Sequence, residues 1–185
     1  MSTFFEPHKA VLYTERMILR FPKTSDTRDL FELCSDPLIS KYSLWHAHED
    51  LWDTKGFVRH LRRNKRDTSR VDFCMQLRET GKVIGTCGFT HLKLEQRVGE
   101  IGYCVSREYQ REGYASEAVE ALVKFGFENL DLARIEARVV TENEPSAALL
   151  RKLEFTLDGS LKKGITFKAK TFDLLLYSMT DYKGT

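Results

Sequence analysis

The sequence has no marked excess of charge of either sign: 29 Lys and Arg stand against 27 Asp and Glu, a formal net charge of +2 over 185 residues. A protein that binds nucleic acid by neutralising phosphates needs a far larger basic surplus, so nucleic acid is excluded as its main partner. The basic run Arg59, Arg62, Arg63, Lys65 and Arg66 is the local exception. No Tyr, Trp or Phe falls between positions 59 and 70, so the run offers bases nothing to stack on. It reads either as a solvated face at a helix end or as a contact for an acidic partner.

Long apolar runs are also missing. None approaches the ~20 residues that span a bilayer, and no basic-then-apolar signal opens the chain, so no membrane partner is expected. The four cysteines, Cys34, Cys74, Cys87 and Cys104, form no C-x-x-C pair, and the last three lie inside apolar strand patterns. Reduced, buried thiols in a cytoplasmic protein fit that pattern. His46 and His48 have no partners at ligand spacing, so no metal is expected. Repeats, low-complexity tracts and linkers are absent too. With 42% hydrophobic and 30% charged residues, what remains is one globular domain over residues 1–185, with 1–13 as a loose lead-in.

What is present alternates between two periods. Residues 17–21 read as a strand stopped by Pro22, and Thr24, Ser25 and Asp26 can cap a helix through Leu30, Phe31, Leu33 and Cys34. Asp36-Pro37 begins a short helical turn, and residues 49–63 continue the helical pattern. Val71–Leu77 alternates like a half-buried strand, 79–82 form a turn, and 83–92 return. Gly85 and Gly88 within the return strand predict bulging or a close backbone approach. A strand over 98–105, a helix over Tyr114–Glu128, a strand over Arg134–Val140 and a helix through Leu149, Leu150 and Leu153 follow. Strands over 155–161 and 171–179 complete the set.

Between the 98–105 strand and the 114–128 helix lies Gln110-Arg111-Glu112-Gly113-Tyr114-Ala115. A loop that runs straight into a helix leaves the first backbone N–H groups unpaired and pointing at whatever anion lies in front of them. Gly113 carries no Cβ to hold a phosphate away, and Ala115 and Ser116 keep the first turn slim. No G-x-x-x-x-G-K-[ST] and no strand-borne G-x-G-x-x-G competes for this role. Alone, the loop is equally a plain strand-to-helix turn.

The spacing of Gln110, Gly113 and Ala115 resembles the pyrophosphate-binding Q/R-x-x-G-x-G/A signature of the GCN5-related N-acetyltransferase (GNAT) family. Thr14-Glu15-Arg16-Met17-Ile18-Leu19-Arg20 is similar to the T-E-R-L-x-L-R opening of its RimJ/RimL-like branch, with Met17 for Leu. Ile84, Gly85, Gly88 and Phe89, the run Glu100 to Tyr103, Glu117-Ala118 and Asn143-x-x-Ser146 fall in register with the same family. The resemblance covers positions 14 to 179. It implies an α/β (α+β) fold, a mixed, mostly antiparallel sheet of about seven strands flanked by helices and splayed where acetyl-CoA binds. It further implies acetyl transfer to a primary amine, with a protein N-terminal α-amine as the expected acceptor. A small-molecule amine such as a polyamine or antibiotic is the alternative, and a silent acyl-CoA-binding module is a third reading. Either a monomer or a homodimer fits.

The resemblance also assigns roles. The backbone of Arg111, Glu112, Gly113, Tyr114, Ala115 and Ser116 would hold the pyrophosphate. N–H groups near Cys104 and Val105, left unpaired at a splayed edge, would polarise the thioester carbonyl. Glu100 would accept the amine proton, or else form a strand-edge salt bridge. Many members carry a Tyr on the helix after Asn-x-x-Ser, but Leu150 occupies that place here. Ser146 is then the hydroxyl for the departing sulfur, unless it only packs its helix. Asn143 would bond the pantetheine or cap the helix. Trp45 and His46, with the segment 44–66, are expected on the acceptor side. The usual L-G-F after this helix is Leu153-Glu154-Phe155, which removes the helix-ending glycine.

Overall fold

The period-two stretches become strands and the 3.6-period stretches become helices. In the computed structural model, which describes residues 6, 9–63 and 68–181, the order is β1 (Val11–Tyr13), β2 (Met17–Arg20), α1 (Thr27–Cys34), α2 (Pro37–Ser40), α3 (Leu51–Arg63), β3 (Val71–Leu77), β4 (Val83–Lys93) and β5 (Val98–Val105). Then come α4 (Tyr114–Glu128), β6 (Arg134–Val140), α5 (Glu144–Lys152), β7 (Thr156–Phe167) and β8 (Lys170–Met179). The strands form one sheet in the order β1-β2-β3-β4-β5-β6-β8-β7. Every neighbouring pair is antiparallel except β5 and β6, which run parallel.

Helices cover both faces. On one side Ala118, Val119 and Leu122 of α4 and Ala147 and Leu150 of α5 pack on Phe73, Phe89, Ile101, Ile135 and Tyr177. On the other, Leu30, Leu33 and Cys34 of α1 and Val58 of α3 meet Cys74 and Val83. The strand alternation decides which face each residue serves. In β5, Ile101, Tyr103 and Val105 join the α4/α5 side, while Cys104 packs toward α1 and α3. Near this second layer, buried Arg20 makes two bonds of 2.8 Å to the Asp26 carboxylate, and Lys23 N–H adds a third at 2.7 Å.

Several sequence expectations need adjusting. The sheet has eight strands rather than about seven, because Val11–Tyr13, inside the expected loose lead-in, pairs with β2 through Val11↔Arg20 and Tyr13↔Ile18. Three residues are too few to display a period. The helix expected from 49 starts at Leu51, since Asp50 Oδ1 accepts the N–H groups of Trp52 at 2.7 Å and Asp53 at 3.1 Å and so ends the preceding turn. β7 runs on to Phe167 past the expected end at 161, in a long hairpin with β8. The close approach expected at Gly88 is present: a Cβ there would lie 1.9 Å from Val71 O. Lys65 and Arg66 of the basic run lie outside the described residues.

Candidate active site

The parallel pair at the centre of the sheet is short. β5 and β6 pair only at Val98↔Arg134, Gly99↔Ile135 and Glu100↔Glu136. Beyond Glu100 they separate, so the rest of β5 keeps its ladder to β4 but not to β6. Backbone N–H and C=O groups on that open edge are free to meet a ligand. A cavity of about 920 Å³ occupies this region.

At the end of β5 the chain makes one tight turn and enters α4. Gly113 sits at the start of α4 with φ 86°, and Arg111 also lies in the left-handed region with φ 66°. Alternating handedness of this kind turns successive N–H groups to one side, an anion-binding concavity. No side chain caps the helix, so its first N–H groups stay available to a ligand. Gln110 Nε2 donates to Val105 O at 3.0 Å and ties the loop to the strand end.

An arginine from the other end of the chain braces the loop from outside. Arg16 donates its backbone N–H to Glu117 Oε1 at 2.8 Å, its Nε to Glu117 Oε2 at 2.7 Å and its Nη1 to Glu112 O at 2.9 Å. Its guanidinium carbon lies 4.1 Å from the centre of the Tyr114 ring. Burial pushes the Glu117 carboxyl up, but hydrogen bonds from Thr14 and Arg16 outweigh it and hold the group below its ordinary range. The bonding geometry thus clamps the first turn of α4 onto the start of β2.

Most of the residues expected in the site share the cavity wall. Cys104, Val105, Gln110, Arg111, Gly113, Ala115, Ser116, Asn143 and Ser146 all line it. Glu112 and Tyr114 do not; they meet Arg16 behind the loop. The Asn143 side chain makes no cap to α5, which leaves it to the cavity. Burial pushes the Cys104 thiol up despite its contact with Thr86 Oγ1 at 3.4 Å. Glu100 is absent from the wall. It stands at the last paired position before the strands part, four residues or roughly 13 Å along the strand from Cys104. Its carboxylate lies 3.3 Å from Arg138 Nη2 and 3.6 Å from His91 Nδ1, so the strand-edge ion pair is real.

Trp45 and His46 line a different, smaller cavity of about 470 Å³ with His48, Asp53 and Phe57. Leu38, Ile39, Tyr42 and Ser43, from α2 and the residues after it, line the large cavity. Long-range contacts hold that segment: Arg107 Nε lies 3.0 Å from the carboxylate of Asp36, the residue that caps α2. Tyr42 OH donates to Glu142 O at 3.2 Å, and Lys168, at the hairpin tip, donates to Ser40 O. Sequence reasoning missed Arg16, Tyr42 and Tyr103 as site residues. Arg16 and Tyr103 were visible only as members of family motifs, and Tyr42 carried no signal in the sequence.

A sheet parted at its one parallel pair, with an uncapped helix start at one end of the gap, leaves a strand edge and a set of N–H groups open to a ligand. The family model of the acetyltransferase (GNAT) domain matches residues 16–156, and the chain belongs to that family of N-acetyltransferases. An N-acetyltransferase named p20 from Bacillus licheniformis, itself uncharacterized, is 36% identical over 168 residues, 91% of this chain and 94% of that protein. A GNAT-family acetyltransferase from Bacillus anthracis superposes with a TM-score of 0.81 at 28% identity, covering 92% of this chain and 98% of that one. RimL, the ribosomal L7/L12 alpha-N-protein acetyltransferase, shares the fold with a TM-score of 0.83 at 18% identity, over 93% and 94% of the two chains.

Proposed function

We propose that the chain transfers an acetyl group from acetyl-CoA, lying in the gap between β5 and β6, to a protein N-terminal α-amine. The observation that carries this is the end of the β5–β6 ladder at Glu100↔Glu136 beside a cavity that runs from the Gly113 loop to α2. The fit is physical: Gly113 at φ 86° presents a cradle without a Cβ, and the α4 start has no side-chain cap to compete with a phosphate. Acetyl-CoA supplies the activated acetyl group when bound; the residues around it bind, orient and move protons. The N–H groups of α4 hold the pyrophosphate, and that of Val105, on the open edge of β5, polarises the thioester carbonyl; Cys104, expected to share this task, turns its N–H to β4 in the ladder. Burial keeps the Cys104 thiol protonated, which argues for direct transfer to the amine rather than a detour through this cysteine. Glu100 accepts the amine proton through water, and Ser146 gives one to the sulfur.

For the acceptor, Leu38 and Leu44 flank the α2 wall at 60% and 71% exposure. That apolar surface suits the residues that follow a peptide's first amine. Glu142 and Glu144, lining the same cavity from the β6–α5 side, favour the competing reading, a small cationic amine such as a polyamine. The deciding experiment is a screen that follows CoA release with N-terminal peptides, polyamines and aminoglycosides. Turnover on peptides is expected. Turnover confined to polyamines overturns the N-terminal assignment.

A further inference from the structure

The α5 position that carries a tyrosine in many relatives holds Leu150, and it is fully buried. A phenol reaches the same region from another element. Tyr103, on β5, lines the cavity and places its OH 2.9 Å from Ser146 Oγ and 3.4 Å from Ser146 O. A serine inside a helix ordinarily gives its proton to the carbonyl four residues back. Ser146 stands in the first turn of α5, so that carbonyl, Glu142 O, precedes the helix, where it accepts Tyr42 OH. Among the described residues, the hydrogen-bond partner of Ser146 Oγ is the Tyr103 hydroxyl. Burial pushes the Tyr103 phenol up to about 12, although its bond to Ser146 pulls the other way. The phenol therefore keeps its proton throughout the working range and can donate it.

We infer that Tyr103 is a positioning residue for Ser146: its O–H donates to Ser146 Oγ, leaving the serine's own proton directed into the cavity at the sulfur of coenzyme A. This rests on the placement of acetyl-CoA proposed above. In the transfer, the nitrogen–carbon bond forms as the carbon–sulfur bond breaks, and the electron pair of that bond goes to sulfur. The Ser146 proton moves to sulfur, while the Tyr103 O–H stabilises the charge left on Oγ. The proton the amine loses passes through water to Glu100 and, after the transfer, returns through water to Ser146 Oγ, so protons and charge balance. The phenol supplies from β5 the polarity that Leu150 cannot supply from α5, acting through the serine.

The test needs no known acceptor. Calorimetric titration compares coenzyme A with desulfo-coenzyme A on wild type, Tyr103→Phe, Ser146→Ala and Ser146→Thr, each with wild-type circular dichroism. Wild type should prefer the sulfur-bearing ligand about 10-fold, the scale of one well-made hydrogen bond to a group with anionic character. Tyr103→Phe and Ser146→Ala should each remove most of that preference without changing affinity for the desulfo ligand. Ser146→Thr, which keeps the hydroxyl, should retain it. On an acceptor found in the screen, Tyr103→Phe should lower kcat about 10-fold at unchanged KM for acetyl-CoA, and the double variant should be no slower than Ser146→Ala. Equal preference in all four proteins overturns the Tyr103–Ser146 assignment alone. Failure of wild type to bind either ligand overturns the placement of acetyl-CoA, and this inference with it.

Discussion

The two ends of the cavity are built in opposite ways. At the Gly113 end, one contiguous loop and the start of one helix do the work, and Arg16 clamps them with three hydrogen bonds and a stacked ring. At the α2 end, the wall is a four-residue helix and the turn after it, held by Tyr42 to the β6–α5 loop and by Lys168 from the β7–β8 hairpin. The first end presents backbone donors, which recognise any pyrophosphate alike. The second presents side chains gathered from distant parts of the chain, which change easily without disturbing the first.

If that division is right, substitutions at the two ends should separate in what they disturb. The largest effect is expected from Gly113→Val, because a β-branched residue is strained at φ 86° and its Cβ also crowds Arg16 Nη2 at 3.3 Å. Acetyl-CoA affinity should fall about a hundredfold by calorimetry, with circular dichroism unchanged. Glu100→Gln should do the reverse, lowering kcat about a hundredfold at undiminished acetyl-CoA affinity. Wild-type turnover in that variant at every pH would show that its pairs with Arg138 and His91 are its whole role.

Smaller effects sharpen the clamp. Arg16→Ala should weaken acetyl-CoA binding about 10-fold through loss of loop order, while peptide KM stays constant. The pH dependence follows from Glu117. Its folded value is lowered, so its stabilisation is fully present above the ordinary carboxylate value of about 4.3 and is lost as pH falls through the lowered folded one. Thermal melts of wild type and Glu117→Gln should differ at neutral pH and converge in acid; a constant difference would break the link. The smallest effect lies away from both ends. Glu154 takes φ 63° after α5, with Phe155 N–H bonded to Leu150 O at 3.0 Å. Glu154→Gly should stabilise the fold by about 1 kcal/mol and leave both ligands unaffected.

That turn illustrates how far the sequence could be read. The absent glycine after α5 left the turn open, and the structure closes it the usual way with a strained glutamate. Strand and helix identities were legible because their periods are local, as in Val71–Leu77 and Tyr114–Glu128. β1 was not, being a three-residue strand that exists only by pairing with β2. Along the cavity, the placement of Gln110, Arg111, Gly113, Ala115 and Ser116 was legible because a loop entering a helix is written in consecutive residues, whereas the turning of Glu112 and Tyr114 toward Arg16 was not. Arg16 lies 101 residues from Glu117, and Tyr103 lies 43 from Ser146, separations that no local pattern spans. Trp45 and His46 were expected on the acceptor side by their place in the chain; with Trp45 packed on Phe57 they line the smaller cavity.

The most direct test of this division is a titration of the 15N-labelled protein with acetyl-CoA, followed through its backbone amide resonances. Large shifts are expected at Val105, at Arg111 through Ser116 and at Ser146, with little change at Trp45, His46, His48 and Asp53. Shifts concentrated around Trp45 and Phe57, with the Gly113 loop unmoved, would contradict it.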